Sequence, residues 1–244
     1  IKDQELFILE ANPRASRTMP FVAKVTGNQI IKAGTLLMLG YSIDEVRNKT
    51  KYLSSSSNKV AIKKAIFPWS RFPAEDTLLG PEMKATGEVL GVGKEFGTAL
   101  NKAYAAAGVE INNKEKGIFV TLSDSEKPNF IKTINKYLEL GFKLYSTEGT
   151  GKFLKTNGID SVIVGKADDL GQTSLTIIED KLVSLVINTP TYANELSDGW
   201  KIRRLSYETG VAVVSSVREA DAFIEAFLNQ NLVLDDLEVI QDVS

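Results

Sequence analysis

A chain of 244 residues with 43% hydrophobic and 25% charged side chains has the composition of a globular protein able to bury a core. A formal charge of -2 and a pI near 5.5 exclude the basic face that nucleic-acid backbones need, so no nucleic-acid partner is expected. Cysteine and histidine are both absent, which excludes disulfides, thiolate zinc sites and every mechanism that needs an imidazole. Any metal is then expected to be a hard cation held by oxygen atoms, such as magnesium or manganese.

No apolar run approaches the roughly 20 residues needed to span a bilayer, so no membrane partner is expected, and the lack of cysteine fits a cytoplasmic location. The first residues, Ile1-Lys2-Asp3-Gln4, are neither an initiator methionine nor a signal peptide. The chain is therefore expected to begin inside a longer polypeptide.

In chain order, the run Leu6-Phe7-Ile8-Leu9 predicts a buried strand that ends at the polar loop carrying Glu10, Asn12 and Arg14. Helices are predicted over 20–26 and 28–39, punctuated by Gly27. Residues 41–58 read as polar, with an exposed loop at 54–58. A strand over 60–67 precedes a connection rich in proline and glycine (Pro68, Pro73, Gly80, Pro81), and a helix is predicted over 94–107. Residues 112–116 are the expected linker. Beyond it, strands over 117–122, 143–146, 159–164, 183–188 and 211–214 alternate with helices over 127–140, 149–157, 174–182, 195–206 and 217–228. Such alternation predicts an α/β fold, a doubly wound five-stranded parallel sheet covered on both faces, with ligands at the C-terminal strand ends. Residues 1–70 hold too few elements to close a sheet and read as the end of something larger.

Two constellations carry chemistry. On an extended chain Glu10 and Asn12 share a face, so a carboxylate and an amide oxygen could hold magnesium, with Arg14 and Arg17 placed to neutralise a phosphoryl group. The same pattern fits a strand end with a surface salt bridge. The turn Ser146-Thr147-Glu148-Gly149-Thr150-Gly151 joins a strand to a helix, which suits a bound phosphate or an ordinary helix cap. Lys127, Lys166, Asn188 and Thr189 follow the ends of three strands of the same sheet, so all fall on one edge with Thr147 and Thr150. The lone Gly91-Val92-Gly93 reads as the lead-in to the following helix rather than as a nucleotide loop, residues 235–238 as an acidic tail, and Trp69 and Trp200 as packing residues.

The run Glu10-Ala11-Asn12-Pro13-Arg14-Ala15-Ser16-Arg17-Thr18, continued by Pro20-Phe21-Val22, resembles the closing segment of the second ATP-grasp unit of the carbamoyl-phosphate synthase large subunit. Leu78-Leu79-Gly80-Pro81-Glu82-Met83-Lys84, with Thr86-Gly87-Glu88-Val89, is similar to that family's signature before its C-terminal domain. The resemblance implies an incomplete ATP-grasp tail over 1–111 and a methylglyoxal-synthase-like allosteric domain over 117–244. It implies that Glu10 and Asn12 bind Mg2+ or Mn2+ at the site where ATP phosphorylates carbamate, with Arg14 facing the phosphates. It implies that Lys127, Thr147, Thr150, Lys166, Asn188 and Thr189 surround the phosphate and ribose of UMP or IMP. The implied partners are the rest of the large subunit and a glutaminase small subunit, in an oligomeric enzyme that makes carbamoyl phosphate from glutamine-derived ammonia, bicarbonate and ATP. The fragment alone is expected to be inactive.

Three positions depart from enteric-type relatives. Glu148 stands where they carry a histidine, Lys64 where a glutamate holds ornithine, and Val213 where a tyrosine does, so control by ornithine is not expected. A free-standing methylglyoxal-synthase-like lyase would need a histidine, and neither it nor a purine-synthesis cyclohydrolase domain has a place for the two leading motifs.

Overall fold

The structure, a computed structural model, describes residues 3–8, 10–11, 13–14, 16–50, 59–72, 77–78, 86–109, 111, 116–167, 169–189 and 197–229. They fall in two compact units, within residues 1–58 and within residues 59–236. Asn12 and the expected features at 54–58, 112–115 and 235–238 lie outside the described residues.

The first unit holds helices α1 (Thr18–Thr26), α2 (Ile30–Met38) and α3 (Ile43–Lys49), packed in sequence. The third was not foreseen, although its start carries a readable signal. Ser42 Oγ accepts from the Glu45 N–H while the Glu45 carboxylate accepts from the Ser42 N–H, a reciprocal cap that satisfies two otherwise free donors. The buried strand expected at 6–9 is not found among the described residues of that run. Leu6, Phe7 and Ile8 lie outside any strand and are 78%, 55% and 85% exposed. Hydrophobicity alone does not make a strand, since its backbone groups need a neighbouring chain to bond.

The second unit is built on a five-stranded sheet in the order β5 (Val162–Val164), β4 (Leu144–Thr147), β3 (Gly117–Thr121), β6 (Val183–Asn188) and β7 (Ala212–Val214), every pair parallel. Successive residues of the central strand serve opposite faces. Ile118 and Val120 join Leu185, Ile187 and Val214 in a core with Phe130, Ile134 and Tyr137 of α5 (Lys127–Glu139) and Phe223 and Phe227 of α9 (Val217–Leu228). Phe119, Tyr145 and Val186 join the other core, with Ile177 and Ile178 of α7 (Thr176–Glu179) and Ile202 of α8 (Asp198–Thr209). Both faces are covered, as the apolar strands required. The doubly wound sheet is therefore as the sequence predicted.

The unit also takes in residues ahead of that sheet, from Lys59 onward. Strands β1 (Val60–Ile66) and β2 (Gly87–Gly93) form an antiparallel pair that packs on α4 (Phe96–Ala106). α4 in turn lies on α9: Asn101 Nδ2 donates to the Ala226 carbonyl (2.8 Å), and the Tyr104 ring meets Phe223 edge-on at 4.8 Å. Gly91-Val92-Gly93 thus ends a strand and leads into the helix. A Cβ on Gly91 would run into the Ala99 carbonyl and come within 2.5 Å of the Ala103 N, so glycine is what lets α4 lie on β2.

Candidate functional site at the C-terminal edge of the sheet

Every residue expected at the phosphate-and-ribose site is described, and the parallel topology brings all of them to one edge. Thr147 ends β4, Asn188 ends β6 opposite Thr121 of β3, and Thr189 follows directly. The edge is tied by hydroxyl groups. The Leu122 N–H donates to Thr150 Oγ1 (3.0 Å), the Ser123 N–H to Thr189 Oγ1 (2.7 Å), and the Thr189 N–H to the Thr121 carbonyl (3.1 Å). The Thr147 hydroxyl donates to Thr150 Oγ1 (3.2 Å) and lies 3.5 Å from Thr121 Oγ1. Thr121 and Ser123 were missed in the sequence, although polar residues directly after an apolar strand of a parallel sheet are the available signal.

α6 (Glu148–Thr156) starts at this edge. Thr147 occupies its N-cap position, yet its side chain makes no capping bond, so the turn is not an ordinary helix cap. The first N–H groups of α6 point at the site with the positive end of the helix dipole. Lys127 Nζ lies 3.9 Å from where a Cβ on Gly149 would sit, which places an ammonium beside that turn. Lys127 is bonded to Asp124 at 2.5 Å, with its side chain 14% exposed and that of Asp124 95% exposed.

Lys166 follows β5 and is exposed, its backbone N–H bonded to Asp169 (2.7 Å). Glu148 is bonded to Lys152 at 2.6 Å. That hydrogen bond first, then the charges of Lys152 and Lys166, hold the Glu148 carboxyl below the usual carboxylate range. The acid that replaces the expected histidine is thus ionised, and it is paired along its own helix.

Lys64 and Val213, the two other departures, line one cavity of about 600 Å³ together with Trp69, Tyr104, Tyr207 and Glu219. The Lys64 ammonium sits 4.0 Å above the Tyr104 ring. Burial pushes its pKa down, with Glu219 opposing.

The residues expected at the ATP and metal site belong to the first unit. Glu10, Arg14 and Arg17 are exposed, Asn12 lies outside the described residues, and among the described residues no group of three or more carboxylates could hold a metal ion. Among the described residues no helix is long and apolar enough to cross a membrane.

Residues 129–215 match the MGS-like domain family. The chain is 37% identical over 240 residues, 93% of its length, to the carbamoyl phosphate synthase large chain, C-terminal section, of Aquifex aeolicus, and covers 44% of that protein. It is 40% identical over 93% of its length to the carbamoyl phosphate synthase large chain of Brucella suis, covering 20% of it. Against the corresponding chain of Archaeoglobus fulgidus it is 37% identical over its full length, covering 23%. The chain thus spans less than half the length of the curated relatives it matches. Over 93% or more of its length the chain is thus similar to carbamoyl phosphate synthase large chains, their C-terminal section among them, and its five-stranded parallel sheet carries the MGS-like domain match.

Proposed function

We propose that the chain is the regulatory end of a carbamoyl-phosphate-forming ligase, and that the C-terminal edge of its five-stranded sheet binds the phosphate of a nucleoside monophosphate. The observation that carries this is the convergence of Lys127, Thr147 and Thr150 on the uncapped start of α6. The α6 N–H groups, the Thr147 hydroxyl and the two ammonium groups of Lys127 and Lys166 supply donors and positive charge for a dianion, a combination suited to phosphate. Thr150 shapes the cradle by joining the end of β3 to α6, since its Oγ1 accepts from Leu122 and Thr147. Asn188 and Thr189 lie one strand away and face a sugar. UMP and IMP are the effectors to test.

In the same proposal Glu10, Asn12, Arg14 and Arg17 belong to the site where ATP, with magnesium or manganese, phosphorylates carbamate. Its remaining groups would come from the rest of the large subunit, and a glutaminase small subunit would supply ammonia. The 244-residue chain alone is then expected to hydrolyse no ATP.

The experiment is isothermal calorimetry of the chain with UMP and with IMP, repeated on Lys166→Ala. Hydrogen bonds to charged groups are worth about 1.5–3 kcal/mol, so that variant should bind roughly ten- to a hundredfold more weakly. Affinity unchanged by the substitution would refute the pocket.

A further inference from the structure

The ribose side of the proposed site contains a buried arginine that no phosphate argument uses. Arg203, on α8, is 4% exposed, and its Nη1 donates to Asn188 Oδ1 at 2.8 Å; Asn188 is itself 3% exposed. Because a guanidinium has donors only, it can face just one end of a side-chain amide. The orientation of Asn188 is therefore dictated by chemistry. Its oxygen is turned to Arg203, and its NH2 group has no hydrogen-bond partner among the described residues.

The first turn of α8 closes over the pair. A Cβ on Gly199 would come within 3.1 Å of Arg203 Nη1, 3.6 Å of Asn188 Nδ2 and 3.7 Å of Asn188 Oδ1. Glycine at the position four residues before Arg203, on the same helix face, leaves room for the guanidinium to reach the strand end.

We infer that Arg203 is a positioning residue that fixes the polarity of Asn188, so that this end of the site offers a hydrogen-bond donor and selects a ligand carrying an acceptor there, such as a sugar hydroxyl oxygen or a base carbonyl. The inference rests on the nucleotide-binding proposal for its ligand, and on the Arg203–Asn188 geometry for its cause. It makes a statement about specificity that the phosphate cradle cannot. Any phosphorylated ligand would satisfy Lys127 and the α6 N-terminus, whereas the fixed amide discriminates by what is attached.

Asn188→Asp tests this without breaking the pair, because a carboxylate still accepts from Arg203 while placing an oxygen where the NH2 group stood. The chain and this variant would be titrated with UMP, IMP and inorganic phosphate by calorimetry at 0.3 M salt, alongside thermal unfolding. The expected result is an unfolding temperature no lower than that of the parent chain, a ten- to hundredfold loss of nucleotide affinity, and a change in phosphate affinity of about threefold or less. Equal or tighter nucleotide binding by Asn188→Asp overturns the assigned polarity, and an equal loss for phosphate and nucleotide reduces Arg203 to a structural role. Arg203→Lys supplies a ligand-free readout, the Asn188 side-chain NH2 resonance, which should shift when the planar fork is lost. An unmoved resonance refutes the pairing. A parent chain that binds neither nucleotide, with the resonance shifted as expected, refutes the nucleotide proposal and the ligand half of this one while the amide's fixed orientation stands.

Discussion

Removing an acid should strengthen the proposed phosphate site. Lys127 is held by Asp124 at 2.5 Å, and an arriving phosphate must compete for the same ammonium. The Asp124 side chain is 95% exposed, so solvent screens the pair and its strength is that of a surface ion pair, about 0.2–1 kcal/mol. Asp124→Asn removes that competition and a repulsive charge near the phosphate, which predicts a gain of up to about 1 kcal/mol, or roughly fivefold tighter binding. The assay is calorimetry of inorganic phosphate, UMP and IMP against both proteins at 50 mM and 1 M salt. The gain should be present for all three ligands at low salt and fade at high salt, where the Debye length shrinks to about 3 Å. Weaker binding by Asp124→Asn would show that the carboxylate aims Lys127 at the ligand, and would refute the competition.

Three further outcomes follow from the fold. Gly91→Ala should lower stability by about 1–3 kcal/mol in urea unfolding, because the new methyl group meets the Ala99 carbonyl and Ala103 of α4. Burial raises the pKa values of Tyr104, Tyr137 and Tyr207 above the ordinary tyrosine value, so the folded state keeps protons that the unfolded chain releases near pH 10. Their contribution is full below that pH and is lost as pH rises, so urea midpoints should fall between pH 9 and 11, and less steeply in Tyr137→Phe. Lys64 has the opposite sign: burial depresses its pKa, so its ammonium destabilises the fold at pH 7. Lys64→Met should raise the urea midpoint there, with the difference shrinking toward pH 10 as the folded lysine deprotonates first.

What could be seen in the sequence follows from where water is excluded. β6 is buried at all six positions, and Ile118, Phe119 and Val120 of β3 are 0% exposed, so both appear as unbroken apolar runs whatever the rest of the chain does. β2 has the opposite character. Its sequence Gly87-Glu88-Val89-Leu90-Gly91-Val92-Gly93 carries three glycines and suggests a loop, and the approach of α4 explains Gly91 and Gly93. The Leu6–Ile8 run misled for a related reason, since apolar composition gives no information about whether a partner strand is present. Thr147, Lys166 and Asn188 could be placed because strand ends in a parallel sheet share an edge. Arg203 could not, because in the run Asp198-Gly199-Trp200-Lys201-Ile202-Arg203 a buried arginine looks the same as a solvated one.

The charges at the edge also suggest how the proposed site would be used. Asp124 is bonded to Lys127, and Glu148, bonded to Lys152, also acts through its charge on Lys166, so acids temper the positive charge of the edge. Neither acid is trapped: the Asp124 side chain is 95% exposed and that of Glu148 is 68% exposed, bonded to Lys152 one helical turn away. A phosphate carrying about -1.5 to -2 charges at neutral pH can therefore take Lys127 while Asp124 turns to water, with little desolvation on either side. Binding at such a site is moderate and sensitive to salt, and its discrimination has to come from groups that water cannot reach. Asn188, held by Arg203 beneath the first turn of α8, is such a group. Anion capture and ligand choice are thus assigned to different strands of the same edge, which is why substitutions at Asp124 and at Asn188 should change affinity in opposite directions.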